Sequence, residues 1–105
     1  MNTDKKNGIE LIVEERQRQI EMEGWTSEHD DLHIDGQLSR AALAYENNDK
    51  ALFPWDKEWW KPTTEVRNLV KAGALNMADI QRLIRRNNKI AEEIDRIQNL
   101  KPNSI

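Results

Sequence analysis

Residues 65–84, EVRNLVKAGALNMADIQRLI, run for twenty positions without proline and with a single glycine. Val66, Val70, Gly73, Met77, Ile80 and Ile84 fall at alternating steps of four and three, the spacing of a heptad seam. The spacing predicts a long amphipathic helix. Thr63 or Thr64 is suited to start it, with Glu65 in the first turn facing the positive end of the helix dipole. The run Lys71-Ala72-Gly73-Ala74 is small-sided, so a second helix can approach it closely. Asn87-Asn88 is expected to weaken or break the helix, after which Ile90, Ile94 and Ile97 resume the seam to about Leu100.

Upstream, Ile9, Ile12, Val13 and Ile20 recur at helical spacing and predict a first helix from about Ile9 to Glu23. Gly24 is placed to close it in a left-handed conformation, with Trp25 folding back onto Ile20. Asp35 is expected to cap a second helix that runs to Tyr45 or Glu46, with Leu38, Ala41, Ala42 and Tyr45 as its apolar stripe and Asn47-Asn48-Asp49 as its end. Residues 49–63, with two prolines and three tryptophans, predict an ordered connection. No strand-like alternation is present. The expectation is an all-α chain of three principal helices: an N-terminal arm over residues 1–8, a helical domain over 9–86, and a C-terminal helical extension and tail over 87–105.

Composition narrows the class. One hundred and five residues make one domain with a small core. An apolar fraction of 37% is lean enough that a homo-oligomer is expected to complete that core. No apolar run approaches the roughly 20 residues of a membrane span, and the N-terminus lacks the apolar segment of a signal peptide. With no cysteine, disulfides and thiolate zinc sites are excluded. A cytoplasmic location is expected, with no membrane partner. Residues 8–33 hold eight acids and two bases, a net of −6, whereas residues 67–105 hold eight bases and four acids, a net of +4. An overall charge of −3 argues against duplex DNA, whose phosphates call for a basic face.

Chemistry concentrates in Gly24-Trp25-Thr26-Ser27-Glu28-His29-Asp30-Asp31-Leu32-His33, which holds both histidines of the chain. His29 and His33, four residues apart, suit one face of a metal site, and Glu28, Asp30 and Asp31 add hard oxygens fitted to Mg²⁺ or Mn²⁺. The alternatives are acid–base or polar ligand contacts, and a solvated acidic turn that caps the next helix. Arg16 interrupts the apolar face of the first helix. It can meet a phosphate, fix the carboxylates of residues 28–31, or cover core with its stem while its head reaches water. Glu10, Glu14 and Glu21 form a second row, either a wet face or, through Glu14, part of a metal site. Phe53-Pro54-Trp55-Asp56-Lys57-Glu58-Trp59-Trp60-Lys61-Pro62 supplies the other aromatic cluster. Trp55, Trp59 and Trp60 can stack on a nucleobase, or cap an undersized core or an interface. Lys57 and Lys61 can meet phosphate or keep the loop soluble. Lys71 and Asp79 lie two turns apart near the small-residue face; a Lys–carboxylate pair with the acidic segment and a surface position are both open.

The order Glu15-Arg16-Gln17-Arg18-Gln19-Ile20, Gly24-Trp25-Thr26, His29-Asp30-Asp31, His33, Pro54-Trp55-Asp56, Trp59-Trp60-Lys61-Pro62 and Leu69-Val70-Lys71-Ala72-Gly73-Ala74-Leu75 resembles a family of small phage and prophage accessory proteins. It is also similar to the C-terminal module of some lambdoid-phage early proteins. The likeness covers roughly residues 10–84 and implies a phage origin, hence the host cytoplasm. More loosely, the chain resembles the MazG-like all-α nucleotide pyrophosphohydrolases, in which acids from two helices hold Mg²⁺ over a triphosphate. It departs from their Glu-x-x-Glu and Glu-x-x-Asp pairs: Gln37 stands where an acid is expected, and Asp79 has no acid three residues before it.

From these readings the expected function is nucleotide-directed. In an enzymatic version, a pyrophosphohydrolase, His29, Asp30, Asp31 and Glu14 would hold Mg²⁺ or Mn²⁺ with His33 nearby, and Arg16 and Lys71 would meet phosphates. Trp25, Trp55, Trp59, Trp60 and Lys61 would hold the rest of the nucleotide. The alternatives are a non-catalytic protein that sequesters a nucleotide signal or blocks a host defence factor, and a protein-docking module for a host partner.

Overall fold

The computed structural model describes residues 6–100. Four α-helices follow one another: α1 (Gly8–Glu23), α2 (Ser27–Asp31), α3 (Gln37–Asn47) and α4 (Glu65–Leu100). Two 3-10 turns, Lys50–Leu52 and Lys57–Trp59, order the long connection. Among the described residues there is no strand, and the chain is all-α as expected. Residues 1–5 of the expected N-terminal arm and residues 101–105 of the tail lie outside the described residues.

Local chemistry sets the helix ends. Asn7 and Glu10 form a capping box: Asn7 Oδ1 accepts from the Glu10 N–H at 2.9 Å and Glu10 Oε1 from the Asn7 N–H at 3.0 Å. Gly24, at φ 74°, closes α1, and the N–H groups of Gly24 and Trp25 both donate to the Gln19 carbonyl. α3 begins two residues beyond its expected cap: left-handed Gly36 stands at the cap, and Gln37 Oε1 accepts the Asp35 N–H at 2.8 Å. Asn48, also left-handed, ends α3 where Asn47-Asn48-Asp49 was expected to.

α4 corrects two expectations. It passes through Asn87-Asn88 without a break and reaches Leu100. Asparagine costs a helix only about 0.7 kcal/mol relative to alanine, and extending an established helix needs no new nucleus. Its apolar seam is also buried only in part: Val70 is buried, and Gly73 and Met77 are half-buried. Val66, Ile80 and Ile84 are exposed, while Asn68, Val70, Ala72, Ala74, Leu75, Ala78 and Arg82 are buried. Small side chains decide this: the alanine face of α4 packs on Leu38, Ala41, Ala42 and Tyr45 of α3, and Trp25 and Phe53 complete the core. The small run expected to admit another helix does so. A Cβ added at Gly73 would sit 2.8 Å from Ile12 Cδ1 of α1.

The expected apolar face of α1 divides in the same way, with Ile12 and Ile20 half-buried and Ile12 packed on Gly73 of α4. Ile9 and Val13 of its expected apolar face are exposed, and its buried residues are Glu15, Arg16 and Gln19. A helix that buries polar groups must pair them, and those pairings build the candidate site.

Candidate functional site: a cleft with an aromatic and a cationic end

α2 was not foreseen as a helix. It forms because Thr26 caps it, accepting the His29 N–H on Oγ1 at 3.3 Å. One turn then aims Asp30 inward. The Asp30 carboxylate is fully buried; Oδ2 meets Arg16 Nη2 at 2.5 Å and Oδ1 meets His29 Nδ1 at 3.0 Å. Arg16, also buried, donates Nη1 to the Trp25 carbonyl at 3.0 Å. Of the roles open to Arg16, the structure selects fixing a carboxylate of the 28–31 segment. Removing either member would strand the other charge in the interior, at about 3–5 kcal/mol.

An ionised carboxylate only accepts, so His29 donates from Nδ1 to Asp30. His29 Nε2 lies 3.2 Å from His33 Nε2, within hydrogen-bond reach. Burial pushes the His33 pKa below its ordinary value, the neighbouring His29 pushes it further down, and Asp30 pulls against both. The chain Arg16–Asp30–His29–His33 thus runs from the interior to the wall of a 730 Å³ cavity.

The tryptophan loop forms the facing wall. Trp55 lies 5.3 Å from Trp25, 5.2 Å from His33 and 6.0 Å from His29, ring centre to ring centre, and Trp25 stacks on His29 at 5.8 Å. Phe53 and Trp59 extend the wall. The Trp55 indole N–H is buried without an acceptor. The histidine segment and the tryptophan loop therefore converge on one cavity.

Behind Trp25 and Trp59 lies a second cavity of 540 Å³, and the two cavities share Glu23, Trp25 and Trp59 as lining. Arg18, Lys61, Arg67 and Lys71 face it against Glu15 and Glu23, a local net of +2 in a chain of net −3. Glu15 is buried and fully engaged. It accepts from Arg18 at 2.8 and 3.0 Å, from Arg67 of α4 at 2.9 Å and from Gln19 at 3.3 Å. Lys71 Nζ donates to the Lys61 carbonyl and lies 5.5 Å from the Tyr45 ring. Among the described residues no carboxylate is paired with it, and burial lowers its pKa. Tyr45 holds the floor: its hydroxyl accepts the Lys61 N–H at 3.2 Å. Gln19 Oε1 is buried without a donor.

The remaining expected site residues lie elsewhere. Asp31 turns away from Asp30 and pairs with Arg85 of α4 at 2.8 and 3.1 Å. Glu14 is exposed and pairs with Lys6 at 2.7 Å. Trp60 packs into the core, 4.7 Å from Tyr45 and 5.3 Å from Phe53. Asp79 pairs with Arg82. The carboxylates expected around Mg²⁺ or Mn²⁺ therefore do not converge, and among the described residues no group of three or more His, Asp, Glu or Cys is placed to hold a metal ion. The two imidazole nitrogens alone are close enough to share an ion, and they do not make the hard-oxygen set Mg²⁺ requires. Glu15, Arg18, Gln19 and Arg67 were missed as site residues. The signal for the first pair was their i, i+3 spacing on one helix.

Comparison with protein families, curated proteins and solved structures finds no match for this chain. Its own geometry defines it: an all-α protein whose cleft is aromatic at one end and cationic at the other.

Proposed function

We propose that the protein binds a nucleotide-like ligand, an aromatic base joined to phosphate, and holds it without hydrolysing it. The single observation that carries this reading is the wall shared by the two cavities, which puts an indole-lined compartment beside a net-positive one. A base entering the first would meet Trp55 and Trp25, and flat aromatic faces accept any base. The unpartnered Trp55 N–H suits a carbonyl or ring nitrogen acceptor. Phosphates entering the second would meet Lys61, Lys71, Arg18 and Arg67. Gln19 Oε1 suits a donor such as a sugar hydroxyl.

Binding is favoured over hydrolysis because the buried carboxylates are already spent. Glu15 answers Arg18 and Arg67, and Asp30 answers Arg16 and His29. Mg²⁺-dependent attack on a triphosphate needs carboxylates free to converge on the ion. Calorimetric titration of the full chain with nucleoside triphosphates, with chromatography of the recovered ligand, tests the reading. Binding with intact ligand is expected, and Trp55→Ala weakens it by about 1–3 kcal/mol, roughly 5- to 150-fold. Recovery of nucleoside monophosphate and pyrophosphate would replace the binding reading with the hydrolytic one, and no heat with any nucleotide would overturn both.

A further inference from the structure

Beyond Arg85, α4 leaves the body: every residue from Arg86 to Leu100 is exposed. Such a segment gains nothing from tertiary packing, yet its isoleucines are not scattered. Taking Ile80 as position a of a heptad, Asn87 and Ile94 fall at a, and Leu83, Ile90 and Ile97 fall at d. Ile80, Ile90, Ile94 and Ile97 are each about half exposed. Leu75, Ala78, Arg82 and Arg85, the residues turned to the body, occupy the c and f positions on the opposite face. From Ile80 onward the a/d seam therefore lies on the side of α4 turned away from the described body, with Leu83 half-buried at its base.

We propose that this seam, from Ile80 to Ile97, docks on the same seam of a second copy of the chain, in parallel, as a two-stranded coiled coil. Asn87 is the reason the occupant is a second copy. Buried against an apolar groove of another protein, its amide would lose water and gain nothing. Facing its own counterpart, it has one donor and one acceptor to exchange with an identical group. A polar Asn at a single a position fixes register and strand number at some cost in stability. It counts against the pull of Ile90 and Ile97, since isoleucine at both a and d favours three or four strands. The flanking g and e positions permit the parallel alignment. Across the seam Asp79 meets Ile84, Arg86 meets Ala91 and Glu93 meets Gln98, so no like charges are set together.

Sedimentation equilibrium of the full chain tests the proposal, with a mass of two copies expected. The chain has no cysteine, so an Asn87→Cys variant carries a single thiol, which in the parallel alignment meets its twin and, with added diamide as the two-electron oxidant, forms a disulfide-linked dimer. Ile90→Lys with Ile94→Lys is expected to give one-copy mass with an unchanged near-ultraviolet circular dichroism spectrum, because both side chains are exposed in the single chain. Asn87→Ile is expected to raise the mass to three or four copies and to raise the thermal midpoint. A wild-type chain that sediments as one copy at every concentration would overturn the proposal. So would a dimer that the Asn87→Cys variant fails to cross-link, or one whose mass Asn87→Ile leaves at two.

Discussion

His33 stands at the end of a chain of contacts that begins at a buried guanidinium. Its folded pKa lies below the 6.5 of an ordinary histidine, chiefly through burial and then through His29. Between the folded value and 6.5 the unfolded chain therefore binds more protons than the native one, and stability rises with pH across that window. Acidifying from neutrality through 6.5 is expected to lower the urea midpoint, with the loss ending below the folded pKa. A His33→Gln variant is expected to flatten this slope; a midpoint that holds or rises on acidification contradicts the assignment. The two aspartates beside it explain why the site was only partly legible at this scale. Asp30 and Asp31 are chemically identical and adjacent, and the sequence marks both as candidate ligands. A one-residue step along a helix turns a side chain by about 100°, so Asp30 goes to Arg16 and Asp31 to Arg85. That choice depends on where α2 starts, and the start depends on the Thr26 hydroxyl. Arg16 was legible because a charge within an apolar stripe demands a buried partner.

At the scale of elements, apolar spacing located the helices but not their buried faces. The stripe of α3 was read correctly, since Leu38, Ala41, Ala42 and Tyr45 are all buried. In α1 and α4 several isoleucines and valines (Ile9, Val13, Val66, Ile80 and Ile84) lie outside, and alanine, Val70, Leu75 and paired polar groups mark the inside. Hydrophobicity alone ranks those residues in the wrong order, because close approach between backbones selects for small size rather than apolar area. Gly73 makes this testable. Alanine there gains about 1 kcal/mol of helix propensity, but its Cβ would press on the tip of Ile12 at 2.8 Å. Ile12 is a flexible side chain rather than backbone, so the two effects offset and Gly73→Ala is expected to fall within about 1 kcal/mol of wild type. Gly73→Leu cannot be absorbed so cheaply and is expected to cost about 1–3 kcal/mol in urea unfolding. Combining it with Ile12→Ala is expected to recover part of that loss, as contacting residues are coupled. Equal losses with and without the Ile12 change would show that α1 does not rest on Gly73.

The molecule is elongated, 67 × 36 × 21 Å along its principal axes, because α4, about 54 Å by helical rise, projects past the packed helices. Among those helices the opposite charges of the two ends of the sequence are brought together: Glu15 of the acidic half is held by Arg67 of the basic half, and Asp31 by Arg85. The charge polarity of the sequence suits both packing of one half on the other and a cationic surface beside acids, and the cationic compartment is what the pairing leaves over. Among the described residues Lys71 is one of two residual cations there, with Lys61, since its ammonium rests on the Lys61 carbonyl rather than on a carboxylate. If one ligand spans the cleft, its two ends must report on different residues. A nucleoside without phosphate is expected to lose affinity with Trp55→Ala and to ignore Lys71→Met. Inorganic triphosphate is expected to do the reverse, and its affinity falls as salt rises. A nucleoside triphosphate is expected to respond to both substitutions. Loss of one charge-assisted contact at Lys71 is expected to cost it about 1.5–3 kcal/mol, roughly 10- to 150-fold in Kd. Raising the pH should weaken the phosphate end earlier than an ordinary lysine would, because burial has lowered the Lys71 pKa from 10.5. A triphosphate that answers to Lys71 alone would mean that the indole wall serves the core and not the ligand, and the two cavities would then be neighbours without a common occupant.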